Sequence, residues 1–116
     1  MRLESQIRDG ICVLRLKGRF LTGSDVELKS AQTSLQESGI ATAIVDLSAV
    51  PYIDSTGLGF LVELHKSLVR RRGQLFLAGA NLRVREVLQM TRIGEIIPLF
   101  EQVEDAEAAL RAEVLC

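Results

Sequence analysis

The sequence predicts one α/β domain with a mixed, largely parallel sheet, an N-terminal β-hairpin and about four helices. Its 116 residues are enough for one hydrophobic core and too few for two comfortable ones. Short apolar runs alternate with segments of helical periodicity, which is typical of parallel strands joined by helices. Asp9-Gly10 separates two strand-like runs, and a tight hairpin turn needs residues that tolerate positive φ at that place.

The first half of the chain predicts the hairpin, a helix and a buried strand. ICVLRL, which follows the turn, is apolar on both faces and therefore suits a strand inside the sheet. SDVE (residues 24–27) has the spacing of a capping box, so we expect a helix to start there and to stop near Gly39. Its inward residues are Leu28, Ala31 and Leu35. TAIVDL then predicts a short buried strand that ends at Asp46 and Ser48.

The second half predicts three more helices and two more strands. A helix follows TAIVDL, with leucines on one side and charges on the other, and Gly73 ends it. The leucines are Leu58, Leu61, Leu64 and Leu68, and the charged residues are Glu63, Lys66 and Arg70. QLFLAGA predicts a strand, and NLRVREVLQM a helix capped by Asn81 that buries Val84, Val87 and Leu88. EIIPLF (residues 95–100) predicts a last strand at the sheet edge because it contains Pro98. From about Glu104 the chain is predicted to be helical, burying Ala106, Leu110 and Val114.

Composition excludes several classes of function. The formal net charge is −1, so neither a nucleic acid nor an anionic membrane is indicated as a partner. The cluster Arg70-Arg71-Arg72 precedes Gly73, at the predicted end of a helix. Cations stabilise the negative end of a helix, so we assign the cluster this role in preference to phosphate binding. Cys12 and Cys116 form neither a disulfide framework nor a metal-binding spacing. The N-terminus lacks an apolar signal region and no segment reaches membrane-spanning length. We therefore expect a reduced, cytoplasmic protein without direct membrane insertion and without a cofactor.

The stretch PYIDSTGLGF (residues 51–60) carries the candidate chemistry. A hydrolase is disfavoured because the nucleophile pattern G-x-S-x-G is absent. The histidine that could act as its base, His65, is ten residues along the same predicted helix, about 15 Å from Ser55 and too far to accept its proton. A phosphate loop lacks its lysine, and Asp46 with Asp54 is too small a set for a metal. N-capping explains one or two of the polar residues in DST. It does not explain two glycines in the first turns, since each costs about 1 kcal/mol against alanine inside a helix.

YIDSTGLGF resembles the signature of the STAS domain family, the anti-sigma factor antagonists of bacteria. The resemblance covers nearly the whole chain. GICVLRLKGRF is similar to the family's second strand, and AIVDLSAVPYIDSTGLG matches its strand-loop-helix segment almost residue for residue. RRGQLFLAGANLRVREVLQMTRIGEIIPLF and VEDAEAAL resemble its second half. The resemblance implies the STAS fold over residues 1–116 as a single domain.

The resemblance also implies a function and a site. It implies that Ser55 is phosphorylated by a serine kinase that is itself the anti-sigma factor, and that a phosphatase removes the phosphate. Asp54 and Thr56 are then its recognition neighbours and Gly57 leaves room for the partner, while the protein itself is not an enzyme. Unphosphorylated antagonist binds the anti-sigma factor and so releases sigma factor for transcription. In GRFLTGSD, however, Arg19 and Leu21 stand where many family members carry acids. The alternative is a STAS subunit of a lipid or anion transporter or of a signalling scaffold, in which Ser55 only caps a helix.

Overall fold

The computed structural model describes residues 2–18 and 25–115, with side chains for residues 3–18 and 29–112. The strands are β1 (Arg2–Arg8), β2 (Ile11–Lys17), β3 (Thr42–Ala49), β4 (Gln74–Ala78) and β5 (Leu99–Phe100). The helices are α1 (Asp25–Ser38), α2 (Ser55–Arg70), α3 (Leu82–Met90), α4 (Ile93–Ile96) and α5 (Val103–Leu115). The predicted capping box at residues 24–27, the inward positions Leu28 and Val114, and Cys116, Arg19 and Leu21 lie outside the described side chains.

The sheet is mixed and has the strand order β1-β2-β3-β4-β5. β1 runs antiparallel to β2, and the other neighbouring pairs are parallel. Asp9 and Gly10 form the turn between β1 and β2 with φ values of 54° and 78°, so the predicted hairpin is confirmed. The largely parallel sheet is confirmed as well. β2 lies inside the sheet and helices cover both faces of the sheet, so its continuous apolar run is buried on both faces, as the sequence predicts.

Two apolar layers cover the sheet. Residues alternate along each strand, so Cys12, Leu14 and Leu16 of β2 face α1, α2, α3 and α4, while Ile11 and Val13 face α5. The predicted inward residues of the helices are buried in these layers. They are Ala31, Leu35, Leu61, Leu64, Leu68, Val84, Leu88, Ala106 and Leu110, with Leu58 and Val87 half-buried. The helix between β3 and β4 therefore packs as its leucine spacing predicts.

The prediction of one strand over residues 95–100 is wrong for its first half. Residues 95 and 96 belong to α4, a short helix that the sequence did not predict, Ile97 and Pro98 follow it outside any strand, and β5 contains only Leu99 and Phe100. The Ile97 N–H donates to the Ile93 carbonyl at 2.8 Å, and both isoleucines are buried. Their four-residue spacing places both side chains on one side of a helical turn, so burial of this pair favours the turn over an alternating strand. The edge position of β5, which Pro98 indicates, is confirmed.

The arginine cluster caps a helix, but not in the expected way. Arg70 lies in the last turn of α2, as predicted. Arg71, in contrast, reaches the end of α1, where its guanidinium donates to the carbonyls of Leu35 at 3.2 Å and of Ile40 at 2.6 Å. A cation at these last carbonyls stabilises the negative end of α1. The side chain of Arg71 thus joins the C-terminal ends of two neighbouring helices.

Candidate functional site

The candidate site lies where β3 ends and α2 begins, at the carboxyl ends of the parallel strands. The β3–α2 loop (residues 50–54) buries Val50 and Ile53. The Val50 N–H donates to the Leu47 carbonyl at 3.0 Å, which turns the chain away from the sheet immediately after β3. Ser55 is then the first residue of α2. These buried apolar residues fix the loop, while Pro51 between them is exposed and the half-buried Asp54 leads into the helix.

Asp54 is the N-cap of α2. It has extended backbone angles, and its carboxylate accepts a hydrogen bond from the Gly57 N–H at 3.0 Å. Its backbone carbonyl accepts from the Leu58 N–H at the same distance, which closes the first turn. The cap satisfies a backbone donor that the helix leaves open, and its negative charge suits the positive end of the helix. Of the three capping candidates in DST, the structure thus assigns this role to Asp54.

The DSTGLG segment (residues 54–59) presents its members unequally to solvent. Ser55 is exposed, Asp54 and Thr56 are half-buried, and Gly57 is buried. Gly59 is exposed, and a β-carbon there would meet no atom within 4 Å. No contact within the described part of the chain therefore requires glycine at this position. The exposed backbone without a side chain lies at Gly59, one helical turn after Ser55. The sequence instead predicts that Gly57 leaves room for a partner.

Asn81 connects the loop to a second helix. Its side-chain oxygen accepts from the Val84 N–H at 2.9 Å, which confirms its predicted role as the N-cap of α3. Its amide nitrogen donates to two carbonyls of the β3–α2 loop, those of Val50 at 3.3 Å and Pro51 at 3.0 Å. One side chain therefore caps α3 and holds the β3–α2 loop. Sequence reasoning found the cap but not this second contact, because no local pattern reports a partner 30 residues away.

Asp46 has a structural role beneath the site. It is 5% exposed, and its carboxylate accepts from Arg15 Nε at 3.0 Å and from the Ser48 N–H at 3.0 Å. A β-carbon at Gly79, whose φ is +77°, would lie 3.0 Å from Asp46 Oδ1, so the chain passes this carboxylate with a bare backbone immediately after β4. Sequence reasoning missed the ion pair, although opposite charges in two apolar strands are a signal for it. Asp46 and Asp54 thus bind different partners and do not form a common acidic site.

The described residues offer no other obvious chemistry at this edge. Among the residues that the structure describes, no group of three or more His, Cys, Asp or Glu side chains is arranged to hold a metal ion. His65 lies on α2 with Ser55, as predicted, and is half-buried, which fits a boundary histidine. Cys12 is buried, and burial raises the pKa of its thiol. The arrangement is therefore an exposed serine at a capped helix end, which suits recognition or modification.

Comparisons with known proteins identify a family and proteins of similar fold. A family model described as STAS domain matches residues 2–106. The anti-sigma-B factor antagonist of Staphylococcus aureus (strain NCTC 8325 / PS 47) is 25% identical over 104 residues, which cover 90% of this chain and 96% of that protein. The crystal structure of an anti-sigma factor antagonist from Mycobacterium paratuberculosis has a TM-score of 0.85 at 23% identity and covers 95% of this chain and 93% of that one.

A transporter-related protein has a similar fold. The crystal structure of a sulfate transporter family protein from Wolinella succinogenes has a TM-score of 0.80 at 25% identity and covers 96% of this chain and 93% of that one. Within the described ranges, no helix of the present chain is both long and apolar enough to cross a bilayer. The fold thus occurs in proteins of at least two kinds, and the site must indicate which kind of function this chain has.

Proposed function

Since the protein belongs to the STAS domain family, we propose that it acts as an anti-sigma factor antagonist that is switched by phosphorylation of Ser55. The unphosphorylated form binds an anti-sigma factor of the serine kinase type and thereby releases sigma factor for transcription. The kinase phosphorylates Ser55 and ends the complex, and a phosphatase restores the binding form. In this proposal the protein is a cytoplasmic regulator without catalytic activity of its own. Its relatives that carry the name of anti-sigma factor antagonist support the proposal.

The exposure of Ser55 at the first position of α2 is the observation that carries the proposal. Ser55 is exposed on a segment whose backbone is held by the Asp54 cap and by Asn81. A kinase needs an accessible hydroxyl, and a binding partner needs a surface that keeps its shape. Thr56, the neighbouring hydroxyl, is half-buried and so is the poorer acceptor. Gly59 supplies bare backbone beside Ser55, against which a partner can pack closely.

Phosphorylation at this place should change binding without unfolding the domain. A phosphate adds about −1.5 to −2 charge and three acceptor oxygens. At the first turn of α2 the helix dipole and nearby N–H groups favour such a charge. A partner that covers the same turn must instead desolvate the phosphate next to the Asp54 carboxylate. A cost of about 3 kcal/mol weakens binding about a hundredfold, since 1.4 kcal/mol corresponds to a factor of ten.

The proposal is tested by affinity capture with three forms of the protein: native, Ser55→Asp and Ser34→Asp. Ser34 is an exposed serine on α1, so its aspartate variant adds the same charge away from the segment. We expect the native and Ser34→Asp forms to recover an ATP-binding serine kinase from a lysate of the source organism, and Ser55→Asp to lose it. Incubation of that kinase with the native protein and MgATP should then add one phosphate, and Ser55→Ala should abolish the addition. Equal recovery by all three forms contradicts the switch.

A second candidate function is favoured by the similarity to the sulfate transporter family protein. In that case the chain is a non-switching STAS subunit of a lipid or anion transporter or of a signalling scaffold, and Ser55 serves only as the first residue of α2. The same capture distinguishes the two. Recovery of a permease or transport ATPase by the native and Ser55→Asp forms alike supports the subunit and contradicts the antagonist.

A further inference from the structure

The outer edge of β1 is an unused pairing surface. All seven residues of β1 pair with β2 without a register shift, and β1 is the first strand of the sheet order, so its other side has no neighbour among the described residues. The opposite edge strand, β5, has two residues only. β1 contains no proline and no bulge, two of the features by which proteins block an exposed edge. It is therefore able to accept another strand along its whole length.

The hairpin determines which backbone groups of β1 point outward. Arg8 and Ile11 flank the two-residue turn, and residues in that position form a hydrogen-bonded pair. Because hydrogen-bonded and non-hydrogen-bonded pairs alternate along an antiparallel ladder, Gln6 and Glu4 also turn their N–H and C=O groups toward β2. The backbone groups of Leu3, Ser5 and Ile7 consequently point away from the sheet.

The same three residues share one side-chain face. They pair with Leu16, Leu14 and Cys12, which lie beneath the helices, so their side chains lie on the helix-bearing face of the sheet. Leu3 is half-buried against the core, whereas Ile7 is 54% exposed and is one of the large apolar side chains exposed in the described part of the chain. The opposite face of β1 carries polar and charged side chains, including Glu4 and Arg8. An occupant of the edge should thus bring apolar groups to the helix-bearing face and long polar side chains to the other.

A second copy of β1 meets both requirements, and we propose that the protein dimerises by antiparallel pairing of β1 with β1 of another copy. The two-fold axis passes between the two Ser5 residues. In this register each Ile7 lies opposite Leu3 of the second copy on the helix-bearing face. On the other face, Glu4 lies opposite Gln6 of the second copy, whereas Arg8 lies opposite Arg2, and this like-charge pair at each end of the pairing opposes a tight dimer. The two sheets become one continuous sheet.

The register follows from the pairing pattern. With the axis at Ser5, all three outward-facing residues of each copy enter hydrogen-bonded pairs. A shift of two residues moves the axis to Gln6, leaves Leu3 without a strand partner and places Ile7 opposite Ser5, so both backbone and apolar pairing decrease. β1 is two strands away from β3, at whose end the DSTGLG segment begins, so the pairing leaves that segment accessible. The inference does not depend on the proposed switch, and self-association is measured without the switch partner.

Sedimentation velocity of the native protein from about 10 μM to about 1 mM tests the dimer. One strand edge gives a small interface, so we expect a weak dimer that forms at the upper part of this range. Ile7→Lys removes both apolar pairs and places two cations near the axis, and it should weaken the dimer at least about tenfold. Met90→Lys is the matched control, because Met90 is 84% exposed on α3. A native protein that stays monomeric, or a dimer that Met90→Lys weakens as much as Ile7→Lys, overturns the proposal.

Cysteine cross-linking tests the register. The variants Ser5→Cys and Gln6→Cys are made with Cys116 replaced by serine, and Cys12 stays because it is buried. Residues directly opposite in a hydrogen-bonded pair have Cα atoms about 5.5 Å apart, within the range for a disulfide. The Gln6 residues of the two copies are displaced by two positions, which separates their Cα atoms by more than about 7 Å. Oxidation should therefore link Ser5→Cys into dimers and leave Gln6→Cys largely monomeric. Dimers from Gln6→Cys but not from Ser5→Cys would overturn the register. No disulfide-linked dimer from either variant would overturn the pairing itself.

Discussion

Asn81 is the residue through which the rigidity of the candidate site is best tested. Its side chain makes three hydrogen bonds with two separate effects: the oxygen caps α3, and the amide nitrogen holds the carbonyls of Val50 and Pro51. Substitutions can separate these effects. Asn81→Ser and Asn81→Asp keep an oxygen that can accept from the Val84 N–H but lose the amide donor, whereas Asn81→Ala loses both.

The expected magnitudes follow from the geometry. Loss of an N-cap costs about 1 kcal/mol of unfolding free energy. The two bonds to the loop come from an exposed residue, and one of them is long at 3.3 Å, so together they contribute about 1 kcal/mol. We therefore expect Asn81→Ala to lower the unfolding free energy by about 2 kcal/mol and Asn81→Ser by about 1 kcal/mol. Asn81→Asp should have about the same unfolding free energy as Asn81→Ser. Its negative charge stabilises the start of α3 but is repelled by the two loop carbonyl oxygens.

Urea unfolding measures the free energies, and hydrogen exchange of residues 50–58 measures the mobility of the loop. All three variants should exchange faster there than the native protein, since none of them retains the amide donor. Gln89→Glu makes the same amide-to-carboxylate change at an exposed position of α3 and should alter neither quantity by much, with a stability change below about 0.5 kcal/mol. If Asn81→Ser is as stable as the native protein and the exchange of the loop is unchanged, Asn81 does not hold the loop and the reasoning is refuted.

Three further predictions concern a close backbone approach, the cap of α2 and the buried thiol. Gly73→Ala should prevent folding or cost more than about 3 kcal/mol in urea unfolding, because the new β-carbon would lie 1.5 Å from the Ala41 carbonyl oxygen; full stability would show that β4 shifts freely. Asp54→Ala should cost about 1 kcal/mol and Asp54→Ser much less, since serine also caps, and equal losses would argue against capping. Burial raises the pKa of Cys12 above its ordinary value of 9.0, so the folded state keeps the proton that the unfolded state releases. Stability should therefore decline as the pH rises through about 9 and decline less steeply in Cys12→Ala; identical pH profiles would contradict this.

The amino-acid sequence alone was sufficient to predict those features that depend on neighbouring residues. The Asp9-Gly10 turn, the buried second strand and the leucine face of α2 follow from local backbone preferences and from the period of apolar residues. The N-cap of α3 at Asn81 was predictable for the same reason. The DSTGLG segment was recognisable as a site because its two glycines and three polar residues exceed what one cap requires. The roles given to Asp54, Ser55, Thr56 and Gly57 in partner binding stay predictions.

The tertiary structure alone decided which distant residues meet. Arg71 binds the end of α1, Asn81 holds the β3–α2 loop, and Arg15 pairs with Asp46, each across about 30 residues of chain. These contacts depend on the pairing of β2, β3 and β4 and on the packing of the helices over them, which no short stretch of sequence specifies. Packing also decided the extent of the last strand, because the burial of Ile93 and Ile97 on one side favoured a helical turn over the strand that the sequence predicts from residue 95. Sequence patterns record the preferences of each segment, and the core selects among them once the segments are assembled.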